Sequence, residues 1–331
     1  MMKRRTLSLL AVSVCGFAAC GSLAQAQAVR VDGSSAGLTI SQAAAAEFRR
    51  SHAGAAVTVG VSGSGGALAK LCRGATDLAH SARPILAAEI EACGAAEVPF
   101  IELPIAFDGV TVVVNRRNTL VERLTLAELR TMWEETARGR IVRWNQVNPQ
   151  FSDAPLKLLA PDPQFEGPSY FAAAILGPGK AVRADHMTSV DDNALVRGVA
   201  RDLNAVSFLS VATFLENRAK LRAVPIAAGA GAQAVTPSPE TVARGEYQPL
   251  SRPIFLYVST KSLARPEVAA FAEFYAVNAA RFAEGANYVP LAESTYRAGQ
   301  ERLRRRVAGS VWNGAVPVGL SMQQLQKREA L

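Results

Sequence analysis

The sequence predicts an α/β fold of open mixed sheets flanked by helices. Three observations carry that prediction. Twice near its start, an apolar β-rich run breaks into a Ser/Gly turn that opens directly onto a helical pattern. Further along, β-branched runs of strand length alternate with segments of helical period. The chain of 331 residues also exceeds what one core usually supports, so two domains are the better expectation.

Residues 1–28 read as an export leader. Lys3, Arg4 and Arg5 give it a positive start, and residues 7–19 form an apolar run too short to span a bilayer comfortably. Two processing patterns follow. Ala24-Gln-Ala26 and Ala26-Gln-Ala28 are small-x-small cleavage sites. Phe17-Ala-Ala-Cys20 resembles a bacterial lipobox, with Phe where Leu is usual, which would make Cys20 a lipidated terminus. Either route puts the mature chain outside the cytoplasm. No later apolar stretch is long enough to cross a membrane.

The net charge of +8 falls to +5 when Lys3, Arg4 and Arg5 leave, because residues 1–28 contain no acid. Part of the remainder lies in residues 302–306. That cluster has no interleaved aromatics and reads as a solvated helix face, not a nucleic-acid site. Cys15 and Cys20 belong to the leader, which leaves Cys72 and Cys93. In an oxidising compartment these most simply form one disulfide, contributing about 3 kcal/mol through the unfolded state. The competing reading, a metal site, has only His80 as a nearby soft ligand.

The first turn is Val29-Arg-Val-Asp-Gly-Ser-Ser35, followed by a helical pattern over residues 40–48. The second is Val57-Thr-Val-Gly-Val-Ser-Gly-Ser-Gly-Gly66, followed by one over residues 67–72. A helix start exposes unpaired N–H groups and a partial positive charge, and glycine lets a ligand reach that backbone. The pair points to a pocket that holds an anion by amides and hydroxyls. The plainer reading is two ordinary βα connections, since Ser and Gly favour any helix start.

Residues 101–105 and 110–115 are continuous β-branched runs, predicted as two buried strands of the parallel kind. Residues 124–133 read as a helix with Thr125 as N-cap and Glu128 completing a capping box. Residues 155–159 are a short strand. A helix over 168–176 ends at Gly177-Pro-Gly179, and another over 190–201 carries Asp191, Asp192 and Asn193 in its first turn. Strands are expected at 205–209 and 221–226, a loop with a short helix at 227–249, a strand at 254–259 and an amphipathic helix at 266–281. In such sheets ligands sit at the carboxyl ends of the strands, where the Ser/Gly turns lie.

Catalysis finds little support. None of His52, His80 and His186 stands in a nucleophile or metal motif. Gly60-Val-Ser-Gly is not a G-x-S-x-G elbow, and no Gly-Lys-Ser/Thr follows the second turn, which excludes a nucleotide P-loop. A Ser64/His80/Asp77 hydrolase is the one catalytic reading, and nothing further in the sequence supports it. His80 reads as a packing or hydrogen-bonding residue. No enzyme activity, cofactor or metal is expected.

Many short motifs, in order, match one family. They include Asp32-Gly-Ser-Ser35, Gly60-Val-Ser-Gly-Ser-Gly-Gly66, Arg83-Pro-Ile85, Asp108-Gly109 and Val112-Val-Val-Asn115. Trp144-Asn-Gln-Val-Asn-Pro149, Asp191-Asp-Asn-Ala-Leu-Val196, Pro249-Leu-Ser-Arg-Pro253 and Tyr288-Val-Pro-Leu291 continue the series. On these, essentially the whole mature chain resembles the periplasmic phosphate-binding proteins of bacterial phosphate ABC transporters. Cys72 and Cys93 fall where relatives carry a cysteine pair.

The resemblance implies a two-lobed clamshell in the periplasm. Residues 29–115 plus 253–331 would form lobe 1 and residues 116–252 lobe 2, with crossings near Asn115 and Arg252 as the hinge. A monomer would close on phosphate or a similar oxyanion and present it to a membrane ABC permease. The implied ligand set is Ser34, Ser35, Ser62, Gly63, Ser64, Gly65 and Arg83 from lobe 1, with Glu166, Gly167 and Asp191 from lobe 2.

Departures from the family pattern touch this set. A Thr usual in the first turn is Ala36, and the Ser before Arg-Pro-Ile is Ala82, with Ser81 one residue earlier. The anion loop of lobe 2, Asp-Ser-Gly-Thr in relatives, is Gln164-Phe-Glu-Gly167. Each lost hydroxyl removes a charge-assisted hydrogen bond of roughly 1.5–3 kcal/mol, and Glu166 repels a dianion unless a proton is shared. The sequence therefore carries a second reading: a clamshell that has lost phosphate and binds another ligand or a partner protein.

Overall fold

The computed structural model describes residues 28–163, 166–315 and 317–329, and of Glu166 the backbone alone. The leader, the cleavage sites, the lipobox at Cys20 and the side chains of Gln164, Phe165 and Glu166 lie outside the described residues.

The two opening units fold as βα repeats. They comprise β1 (Val29–Gly33), α1 (Ser35–Ser51), β2 (Val57–Val59), α2 (Gly63–Cys72) and β3 (Leu78–Ser81), with β1 parallel to both β2 and β3. Ser34 caps α1: its hydroxyl accepts from the Gly37 amide at 3.2 Å. Within α3 (Ala87–Ala95), Cys93 is bonded to Cys72, with Cα atoms 4.3 Å apart. The expected disulfide thus ties the end of α2 to α3.

β4 (Phe100–Asn115) is buried at every residue. Phe100–Gly109 pairs with β11 (Ser251–Ser259), and from Val110 onward β4 pairs instead with β8 (Ala205–Ser210) and β9 (Leu221–Ala223). All three pairings are antiparallel, and residues 101–105 and 110–115 belong to one strand. The expectation of two parallel strands is corrected on both counts. An unbroken apolar run reports that both faces of a strand are covered; it says nothing about the direction of its neighbours.

The second half contributes β5 (Leu124–Thr125), α4 (Leu126–Trp133), β6 (Lys157–Pro161), α5 (Glu166–Leu176), β7 (Met187–Ser189) and α6 (Asp192–Arg201). After β8 come α7 (Val211–Glu216), β9, β10 (Ile226–Ala227) and α8 (Pro239–Ala243). α9 (Pro266–Gly285), α10 (Glu293–Arg304) and α11 (Met322–Glu329) follow β11. The main sheet runs β2-β1-β3-β11-β4-β8-β6-β7, mixed in direction, with β9 also on β4. The result is a two-lobed α/β fold with helices on the sheet faces.

The capping box predicted at Thr125 is present. Its hydroxyl accepts from the Glu128 amide at 3.1 Å while Glu128 accepts from the Thr125 amide. α4 then buries Trp133 against a stacked pair, Phe171 of α5 and Phe208 of β8, whose ring centroids lie 4.0 Å apart. Burying each such side chain is worth roughly 1.5–3 kcal/mol, so this cluster seats α5 between α4 and β8. In the first half, Phe48, Phe271 and Tyr275 pack α1 on α9. The basic run at the end of α10 is partly paired: Arg304 and Arg305 share Glu301, and Arg302 reaches the buried Glu329 at 3.1 Å. Among the described residues no helix is long and apolar enough to cross a membrane.

Candidate ligand cleft

Helix starts from both halves open onto one cavity of about 460 Å³. Ser35 and Ala36 of α1 line it together with Gly167 of α5, Asp192 of α6 and Ala212 of α7. Leu38, Thr39 and Val61 add to one side; Pro161, Val190, Phe208, Ser210, Thr213 and Glu216 add to the other. Val110, where β4 changes partners, Arg252 and Tyr288 complete much of the lining. Amides at such helix starts have no intrahelical acceptor and carry partial positive charge, so the cavity suits a small anion.

The predicted residues are distributed unevenly around it. Ser35 and Gly167 line the cavity. Ser34 is fully buried and caps α1, and its carbonyl meets His80 Nε2 at 2.8 Å. Ser62 donates to Asp32, which also holds Lys70. Ser64 is buried and accepts from the Ala82 amide at 2.9 Å. Gly63 opens α2 with a left-handed φ of 74°, a conformation glycine adopts without strain, and Gly65 sits exposed beside Arg83. Asp191 caps α6, accepting from the Asn193 amide at 2.9 Å, and its neighbour Asp192 faces the cavity.

Arg83 lies in an adjoining cavity of about 110 Å³ with Ser169, Tyr170 and Pro317. Its guanidinium is forked onto Glu89, with bonds of 2.8 and 2.7 Å, and also donates to the Pro84 carbonyl at 3.0 Å. His80 is fully buried between Ser34 and Ser41, and loss of hydration lowers its pKa to about 4. It is therefore a neutral packing and hydrogen-bonding residue. Among the described residues no cluster of His, Cys, Asp or Glu is arranged to hold a metal ion.

Arg252 lines the cavity although the sequence reading assigns it to the hinge and not to the ligand set. It lines both cavities, faces Asp108 with Nη2 3.4 Å from Oδ2, and lies over the Tyr170 ring at 5.2 Å. Burial raises the pKa of Asp108, and Arg252 opposes that shift. Burial likewise raises Tyr170 to about 12. Arg252 has its signal in Pro249-Leu-Ser-Arg-Pro253, a motif that supports the family resemblance and places it near an expected lobe crossing. Asp192 and Glu216 were missed too; desolvation within the cavity wall raises the Asp192 pKa, and neighbouring Asp191 adds to it.

Comparison with known proteins agrees with this architecture. Protein SphX of Synechocystis sp. is 38% identical over 322 residues, covering 97% of this chain and 95% of that protein. The phosphate-binding protein PstS of Staphylococcus saprophyticus is 28% identical over 276 residues, 83% of this chain and 84% of that one. A crystal structure from Planctomyces limnophilus, described as a possible phosphate binding protein, superposes with a TM-score of 0.68 at 36% identity. It covers 85% of this chain and 99% of that one. The PBP superfamily domain matches residues 20–278, and the chain belongs to that superfamily.

Proposed function

We propose that this protein is an extracytoplasmic solute-binding protein that captures phosphate, or a closely related oxyanion, in the cleft and delivers it to an ABC permease. The observation that carries the reading is the convergence of α1, α5 and α6 starts and one buried arginine on a single cavity. Relatives named as phosphate-binding proteins cover most of the chain. Residues 29–115 with 253–331 form lobe 1 and residues 116–252 form lobe 2, meeting along β4 and β11. Closure of the lobes excludes water from the anion, and the closed monomer is what the permease recognises. Export by residues 1–28 supplies the location.

A second reading is favoured by specific contacts. The Ser34, Ser62 and Ser64 hydroxyls are engaged inside the fold, while carboxylates of Asp192 and Glu216 line the cavity. A clamshell so arranged would take another ligand or a partner protein. Calorimetry of the purified protein against phosphate, arsenate, sulfate and small organophosphates decides between them. Micromolar or tighter binding of phosphate supports the first reading; heat only from an organophosphate, or from none, supports the second.

A further inference from the structure

We propose that residues 317–329 form a strap that runs from lobe 1 to α5 of lobe 2 and, through Tyr170, positions the helix start at which the anion binds. This rests on the reading of the cleft as an oxyanion site between two lobes. The superfamily domain match ends at residue 278, before the strap begins.

The strap is anchored in lobe 1 by its own helix, α11. Met322, Leu325 and Glu329 recur at the spacing of one helix face, and all three are buried. Glu329 meets Arg302 of α10 at 3.1 Å, and that guanidinium also donates to the Glu102 carbonyl of β4 at 3.2 Å. Arg328 donates to the Val311 carbonyl at 2.9 Å and lies over the Trp312 ring at 5.1 Å. The Val311 amide in turn donates to the Glu102 carboxylate at 3.1 Å.

The other end of the strap reaches lobe 2. Gln323 donates to the Arg244 carbonyl at 3.0 Å, and the Leu320 carbonyl accepts from Gln248 at 3.4 Å. Gly319 has a left-handed φ of 73°, and a Cβ there would lie 2.9 Å from Pro249 Cβ and 3.1 Å from its Cα. Any side chain at this position would push the strap off the Pro249 backbone. From here the Gly319 amide donates to the Tyr170 hydroxyl at 3.3 Å.

Tyr170 carries that hold to the cleft. Its hydroxyl also bonds the carbonyls of Pro249, at 2.9 Å, and Ser251, so one oxygen ties α5 to the strap and to the chain entering β11. Tyr170 stands one turn after Gly167, which lines the larger cavity. Pro317 and Val318 line the smaller cavity together with Ser169 and Tyr170. A displaced strap therefore leaves the first turn of α5 without its support from lobe 1.

The test measures binding and release of inorganic phosphate by calorimetry and stopped flow on the mature chain. Hydrogen exchange of residues 167–172 in the ligand-free protein is the second readout. Gly319→Ala should bind phosphate about tenfold more weakly, through faster release, and those amides should exchange about tenfold faster. Tyr170→Phe keeps the ring and should weaken binding to about the same extent. The double variant should fall within about twofold of the weaker single variant, because both changes cut one link. Gly198→Ala controls for overpacking alone: its Cβ would lie 2.5 Å from Leu159 Cδ2, and it should melt lower yet bind phosphate as the wild type does. Tyr170→Phe binding within about twofold of wild type overturns the proposal, whether or not Gly319→Ala folds, and so do fully additive effects in the double variant. Equal weakening by Gly198→Ala overturns it as well. A wild type that binds no phosphate, arsenate or sulfate overturns the cleft reading. In that case faster exchange in Gly319→Ala still upholds the strap, and unchanged exchange overturns it too.

Discussion

His80 occupies the space that a side chain on Gly37 would need: a Cβ built there would lie 2.4 Å from His80 Cδ2. The imidazole is held in place by Ser41 at 3.1 Å and the Ser34 carbonyl at 2.8 Å, so it has nowhere to retreat.

Gly37→Ala should therefore destabilise the protein by about 1–3 kcal/mol, as overpacking does. The sign is the informative part, since Gly→Ala in an ordinary helix stabilises by about 1 kcal/mol. Urea denaturation of the two proteins measures it. A more stable alanine variant would mean that His80 yields easily.

Stability should also depend on pH through His80. Its folded pKa is lowered from 6.5 to about 4 by burial. Between those values the unfolded chain binds a proton that the folded chain does not. The contribution of His80 is thus complete above pH 6.5 and declines as pH falls towards 4, by about 3 kcal/mol at most. Denaturation curves from pH 4 to 8 should show a shallower slope for His80→Gln than for wild type. Parallel slopes would assign the acid sensitivity to other groups.

Breaking the Cys72–Cys93 bond should lower stability by about 3 kcal/mol without changing the cleft. Thiol titration of the denatured, unreduced protein should find neither cysteine reactive. Two reactive thiols at these positions would show that the bond does not form in the isolated protein.

Replacing Phe165-Glu-Gly167 by Ser-Gly-Thr should tighten phosphate binding, because two hydroxyl donors return and a carboxylate leaves. If the Glu166 carboxylate takes part in binding, it favours a protonated ligand oxygen. Phosphate affinity should then fall as pH rises, and sulfate should bind poorly. Affinity titrations of both forms across pH check this, and a tighter complex of the native loop with sulfate would exclude a carboxylate facing the ligand.

Local chemistry was the legible part of this sequence. Thr125 with Glu128 is a cap whose signal lies within four residues, and it forms. Cys72 and Cys93 were readable because so few cysteines remain in the mature chain. What was illegible depended on distant partners. The direction of β4 is set by β8 and β11, far away in the chain. The Ser64 hydroxyl accepts from the Ala82 amide and that of Ser62 donates to Asp32, contacts that residue type alone does not reveal. The surroundings of Arg252 were hidden too: Asp108, Tyr170 and two cavities meet it only in the fold.

β4 has one more consequence. Its residues on either side of Val110 are bonded along their length, and at the change of partners the Val110 amide still reaches the Leu250 carbonyl at 2.7 Å. A crossing of this kind behaves as a leaf spring, not a pin joint. Bending it would strain a ladder of hydrogen bonds, so any movement of one part of the sheet against the other meets a restoring force that is spread along the strand.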